Sequence, residues 1–313
     1  MRRIIGLVSM GLAGFLIVTC VLAILYIPGQ VQKTPLDTDS YTRLAGNAAV
    51  LPSGGGAPVR AVSHTVANGK ASDGDVVVFD TFTCLVTDEG GSAPDCSDDD
   101  TLVTATTDRF ATDRHTAVAV NDEKYIGDAE PHEGLVNKFP FNVEKKTYPF
   151  WDGVVGRSVP AEFKGEEKVN GWNTYKFVID VKDEPAEISD GIQGTYSSLK
   201  TMYIDPRTGS IIKQTEQQLR ALDDGTPVLE LDFGFTDKTV AANIKDAKDN
   251  DSSLGAVEKL PWITGIAGLL ALIAGLVLFL GGRRDTATHA PESAYESTSL
   301  DIFDDGERRS RRD

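Results

Sequence analysis

Two long apolar blocks frame the chain. Residues 4–27 contain 19 apolar residues out of 24, residues 262–280 contain 15 out of 19, and neither block holds a charged side chain. Because a helix rises about 1.5 Å per residue, blocks of this length cross a hydrocarbon core of ~30 Å. The pattern predicts two transmembrane helices, over residues 4–27 and 260–282.

Arginine pairs predict the orientation of these helices. The pairs lie at the outer end of each block: Arg2-Arg3 and Arg283-Arg284. Positive residues favour the cytoplasmic side, so residues 1–3 and a disordered tail at 283–313 are predicted to be cytoplasmic. The protein is then a two-pass protein of the cytoplasmic membrane with residues 28–259 outside. A cleaved signal peptide is disfavoured, because its apolar region spans only about 7–15 residues.

Small residues recur every seven positions in both blocks, among them Gly6 and Ala13 in the first block and Gly268 and Gly275 in the second. Small side chains let helices approach closely in lipid. We expect the two helices to pack on each other or on a second copy, which leaves a homo-oligomer open.

Between the blocks, apolar and polar residues alternate with the period of two that is typical of half-buried strands. The clearest segments are 75–83, 102–112, 174–181 and 228–235. The predicted fold class is therefore mainly β: an antiparallel, β-rich extracytoplasmic domain over 59–259, between two transmembrane α-helices. Residues 28–58 are predicted to be a connector, and residues 238–248 a short helix.

Two turns in this domain resemble each other. Residues 113–117 and 205–209 both read D-x-x-T-[AG], follow a predicted strand and lie 92 positions apart. Either the domain has two related halves, or the same turn chemistry arose twice.

Charge excludes one class of partner. The chain has 31 Lys and Arg against 47 Asp and Glu, a net charge of −16 over 313 residues, and the whole acidic excess lies between the blocks. Such a chain repels phosphate, so no nucleic-acid partner is expected.

Cys84 and Cys96 are the only cysteines between the blocks. Outside the cytoplasm a disulfide is permitted, and we predict one here, with two free thiols as the alternative. Closing this loop would stabilise the fold by about 2–3 kcal/mol.

No catalytic or metal motif emerges. Ser197 and Lys200 have the spacing of a β-lactamase nucleophile and its lysine, but the companion motifs are missing. The histidines lack a second ligand at metal-binding spacing. We therefore expect a protein that is not an enzyme and that uses no cofactor.

Aromatic residues alternate with prolines in the segment 139–151, and a period of two would put Phe139 and Phe141 on one face and Tyr148 and Phe150 on one face. These rings are expected to form the core of the domain, and the alternative is that five of them line a groove for a lipid or acyl chain: Phe139, Phe141, Tyr148, Phe150 and Trp151. We predict a mixture, with Trp151 structural and at least one Phe facing a ligand-sized cavity.

Several of these segments together resemble one family. They read D-R-H-T-A, H-E-G-L-V-N-K-F-P-F, K-K-T-Y-P-F-W-D, G-W-N-T-Y-K-F and Y-I-D-P-R-T-G. This set, with the two apolar blocks, is similar to the PorA-like family of actinobacterial envelope proteins over about residues 1–282. The resemblance implies an envelope protein, and the family carries a porin label.

The predicted function is the binding or transfer of an apolar, lipid-like envelope component. The alternatives are a structural or interaction subunit of an envelope complex and a pore-associated protein. The expected partners are the cytoplasmic membrane, an envelope lipid, and either further copies of the chain or other envelope proteins.

Overall fold

A computed structural model describes residues 1–91, 95–96, 101–189 and 191–281. The predicted tail 283–313 and the arginine pair at its start lie outside the described residues. By contacts the chain divides into a helical unit, Met1–Thr19 with Ile263–Asp313, and a β unit, Cys20–Trp262.

The described residues form helices and strands in an order that confirms the mainly β class. The helices are α1 (Arg2–Leu25), α2 (Ile27–Val31), α3 (Glu123–Ile126) and α4 (Asp237–Gly281). The strands are β1 (Asp39–Val50), β2 (Ala57–Ala67), β3 (Val76–Thr87), β4 (Leu102–Asp113), β5 (Tyr148–Asp152), β6 (Arg157–Val169), β7 (Trp172–Ser189), β8 (Ile192–Ile204), β9 (Ile211–Ala221) and β10 (Pro227–Phe235).

All ten strands belong to one antiparallel sheet with the order β4-β3-β2-β1-β10-β9-β8-β7-β6-β5. The sheet therefore consists of two meanders, β1–β4 and β5–β10, which are joined by the pairing of β1 with β10. The four predicted strand segments are confirmed. In β10, Leu229 and Leu231 are buried while Glu230 and Asp232 are exposed, as the alternation requires.

The predicted connector 28–58 is wrong over much of its length, because it contains β1 and the start of β2. Only Leu44 and Ala48 of β1 are buried, so the strand carries little hydrophobic alternation. Its small residues serve close packing instead. A Cβ at Gly46 would overlap the carbonyl oxygen of Asp232 on β10.

The short helix predicted at 238–248 is likewise only the beginning of a longer one. It continues through the second apolar block as α4, which is 45 residues long and includes Pro261. Helices α1 and α4 are both long and apolar enough to cross a membrane.

Within the helical unit the predicted small residues lie at helix contacts. A Cβ at Gly6 would lie 3.0 Å from the carbonyl oxygen of Gly275, and a Cβ at Gly268 would lie 3.2 Å from Leu16 and Ile17. Ala13 is fully buried. The structure thus brings α1 and α4 together through these positions.

The predicted disulfide between Cys84 and Cys96 is present, with Cα atoms 5.7 Å apart. Cys84 lies on β3 and is buried against Val62 and Val86. The bridge therefore links Cys96 to strand β3.

Candidate ligand-binding site

The two D-x-x-T turns have the same internal hydrogen bonds. A carboxylate oxygen of Asp113 accepts from the backbone N–H of Thr116 at 2.7 Å and from its hydroxyl at 2.9 Å. Asp205 accepts from the N–H and hydroxyl of Thr208 at 2.9 and 2.6 Å. These hydrogen bonds explain why the two turns share a motif, and no common origin is needed. A duplication that gave the β-rich domain two related halves therefore stays a prediction.

An irregular segment, residues 137–143, connects these turns, and we call it the strap. The N–H of Phe141 donates to the carbonyl of His115 in the first turn at 3.1 Å. The N–H of Phe139 donates to Gly209 in the second turn at 2.8 Å. Pro140 lies between these two donors and has no N–H of its own. The strap is therefore held at both ends of its central tripeptide.

Gly209 allows the strap to lie this close. Its φ of +74° falls in the left-handed region that favours glycine. A Cβ at this position would also overlap the carbonyl oxygens of Phe139 and Pro140. Both conformation and space therefore require glycine at the end of the second turn.

The first half of α4 packs beside the second turn. Arg207 pairs with Asp251 and, at 2.6 Å, with Glu258. The amide of Asn243 donates to the backbone carbonyls of Ile211 and Ile212 at 3.0 and 3.3 Å. These contacts fix α4 against the start of β9.

A cavity of about 650 Å³ lies among the strap, the segment before β1, strands β9 and β10, and α4, all within the β unit. We call it the strap cavity. Its volume falls in the range of about 300–1,000 Å³ that is usual for small-molecule sites. The apolar residues of its wall are Val31, Phe79, Phe141, Ile211, Phe235, Leu254 and Val257.

Lys138 on the strap is the cavity's distinctive polar group. Its Nζ lies 3.3 Å from the hydroxyl of Thr34 and 4.0 Å from the ring centroid of Phe141. Desolvation lowers the pKa of this amine to about 8, and the negative charge of Asp205 opposes the shift only in part. Among the described residues no carboxylate lies within ion-pairing distance of this Nζ.

Asn137 adds a second polar group at the same place. Its side-chain oxygen is buried and has no hydrogen-bond partner in the described part of the chain. Buried polar atoms usually have such a partner. Asn137 thus has a buried oxygen without a partner among the described residues, whereas Lys138 is half-buried and has one hydroxyl partner.

Three of the five rings predicted to line a groove are core residues. Phe139 is 0% exposed, and Tyr148 and Phe150 are buried with it. The ring centroid of Phe139 lies 4.5 Å from that of Phe177, 5.5 Å from Tyr148 and 5.6 Å from Phe150. Tyr148 and Phe150 do share a face of β5, as predicted, but that face points into the core.

The other two rings lie apart from each other. Phe141 is half-buried and lines the strap cavity. Trp151 is half-buried against the ring of His132, with centroids 4.5 Å apart. A single groove of five rings is therefore wrong. The strap is not a strand, so the period-two argument that placed Phe139 and Phe141 on one face does not apply to it.

Ser197 and Lys200, the pair with β-lactamase spacing, lie on opposite faces of β8, because residues three apart in a strand point in opposite directions. The Ser197 hydroxyl donates to Asp183 at 3.1 Å. Lys200 pairs with the buried Glu216 at 3.5 Å, and the hydroxyl of Ser198 donates to the same carboxylate at 3.0 Å.

Asn137 and Lys138 are the site residues that sequence reasoning missed. The signal was available: they are the only polar pair within the otherwise apolar stretch 135–141. Because apolar residues lie on both sides of this polar pair in the sequence, the pair is expected to be partly buried and to need hydrogen-bond partners in the structure.

Comparison with known proteins places the chain in a family. The family model described as Porin PorA matches residues 5–277. A Porin PorA of Corynebacterium amycolatum is 22% identical over 250 aligned positions, which cover 56% of this chain and 64% of that protein. The chain thus spans less than two thirds of that relative. A Porin PorA of Corynebacterium resistens is 22% identical over 282 positions, covering 58% and 68%. Because the family model matches most of its length, the chain belongs to the PorA porin family.

Proposed function

We propose that this is an envelope membrane protein that holds an apolar, lipid-like component in the strap cavity. The carrying observation is the cavity itself, whose wall includes seven apolar side chains and the half-buried Lys138. Family membership supports the envelope location. The proposed role is binding or transfer and involves no chemical step.

The proposal places α1 and the apolar half of α4 in the cytoplasmic membrane, with both termini in the cytoplasm. The length and composition of the two helices support this placement. The β unit would then stand outside the membrane and present the strap cavity to envelope lipids.

A pore-associated role is the second candidate, and it is favoured by the name Porin PorA that the two relatives carry. Conductance across a planar bilayer separates the two functions. A channel predicts discrete current steps from purified full-length protein, whereas lipid binding alone predicts none.

Ser253→Trp is expected to block lipid binding, because Ser253 is exposed on α4 and lines the cavity. An indole ring there would occupy space that an acyl chain needs. We expect labelling of the full-length protein by a photoactivatable fatty acid, in phosphatidylcholine nanodiscs, to fall about tenfold, or about 1.4 kcal/mol in binding free energy. Mass mapping on the wild type should place the label on the strap and α4.

The matched control is Ser252→Trp. Ser252 is the neighbouring exposed serine on the same helix and is not part of the cavity wall. Its variant should be labelled like the wild type. Equal labelling of both tryptophan variants, or label scattered away from the cavity, would refute the proposed site.

A further inference from the structure

We infer that the ligand of the strap cavity is an anionic amphiphile whose acid group, a carboxylate or a phosphate, binds Lys138. This inference rests on the proposed function and narrows it to one chemical class. The apolar wall would hold the chain of the ligand, and the strap would hold its charged end.

The first argument is the unfilled bonding capacity of Lys138. A lysine ammonium group has three N–H donors. The described residues offer it one hydroxyl at 3.3 Å, from Thr34, and the face of the Phe141 ring. Lys138 is half-buried beside the cavity, and a partly desolvated charge is stabilised by an ionised partner. An acid group in the cavity would supply the missing acceptors.

The second argument is a comparison of Lys138 with two other partly buried lysines, Lys33 and Lys200. Lys33, also on the cavity wall, has its Nζ 2.9 Å from Asp75 and 2.9 Å from the carbonyl of Gly74. Lys200, inside the sheet, has the carboxylate of Glu216 at 3.5 Å. Both have a carboxylate of the protein beside them. Lys138 differs in this respect, although it lines the same cavity as Lys33.

The cavity also has carboxylates near it. Asp205 accepts hydrogen bonds from Thr208 and from the indole N–H of Trp172, but it keeps its negative charge near Lys138. On α4, Asp249 pairs with Lys245 at 2.8 Å, and Asp246 also lines the cavity. Lys138 would therefore have to attract the acid group of a ligand more strongly than Asp205 repels it.

The test is competition against the photoactivatable fatty acid on full-length protein in phosphatidylcholine nanodiscs. The competitors are a fatty acid, an alkyl phosphate and a fatty alcohol of equal chain length. On the wild type, the fatty acid, the alkyl phosphate or both should compete at about tenfold lower concentration than the alcohol, as expected of a charge-assisted hydrogen bond. Which of the two acids competes better identifies the headgroup.

Lys138→Met should abolish this preference while leaving the alcohol's potency unchanged, and Lys138→Arg should keep most of it. Lys33→Met is the matched control, since its charge is already neutralised by Asp75, and should keep the preference. Thermal unfolding of each variant shows that it is folded. A wild type without preference for acids, or a Lys138→Met variant that retains it, overturns the inference alone. Failure of all three competitors overturns the proposed function as well.

Discussion

Replacing Phe139 with alanine is expected to lower the free energy of unfolding of the β unit by about 3–5 kcal/mol, the usual cost of removing a buried aromatic ring. Phe139 is fully buried and contacts the rings of Tyr148, Phe150 and Phe177. Denaturant titration of the full-length protein in micelles, followed by near-ultraviolet circular dichroism, measures this change.

Phe82→Ala is the control for Phe139, because Phe82 lies on the sheet with 37% of its surface exposed. We expect it to cost no more than about 1 kcal/mol. If Phe139→Ala instead left stability unchanged and only reduced bound lipid, Phe139 would line a groove after all, and the assignment of these rings to the core would fail.

Gly209→Ala is expected to destabilise the β unit through two separate effects. A left-handed backbone costs a residue with a Cβ about 1–2 kcal/mol, and here the Cβ would also overlap the strap at Phe139 and Pro140. The strap would have to move, so the hydrogen bond from Phe139 to Gly209 would be lost. We expect a lower unfolding midpoint and, at temperatures where the variant is folded, weaker labelling by the fatty-acid probe.

Gly225→Ala separates these two effects. Gly225 has a similar φ of +82°, but a Cβ there would have open space around it. The Gly225→Ala variant should lose only the stability that the left-handed backbone costs, and the fatty-acid probe should label it like the wild type. If the two alanine variants lost the same stability and labelled alike, the strap would not depend on close approach to the second turn.

Much of the fold could be predicted from local pattern, because the information is local. The apolar blocks specify two helices by length and composition, and the alternation in β3, β4, β7 and β10 specifies strands. Strand β1 could not be found in this way, since its small residues fit a close approach to β10. In that pairing Leu44 lies opposite Phe235. The residues near Leu44 in sequence do not indicate a strand partner so far along the chain.

The candidate site was harder to predict for the same physical reason. The strap cavity is assembled from five segments that are far apart in sequence. The aromatic content of residues 139–151 correctly indicated an important segment. Composition alone, however, does not distinguish a ring in the hydrophobic core from a ring that lines the strap cavity. Lys138 appears ordinary until the fold half-buries it beside a cavity, with no carboxylate of the described residues within ion-pairing distance.

The central claim is that the strap cavity holds an acidic amphiphile, and lipid analysis of protein extracted from its native membrane tests it most directly. The account predicts that full-length wild-type protein and the Ser252→Trp variant carry an acid-bearing lipid in near-stoichiometric amounts, enriched over the bulk membrane. The Ser253→Trp variant should carry far less. Lipid no more acidic than the surrounding membrane, or equal recovery from both tryptophan variants, would contradict it.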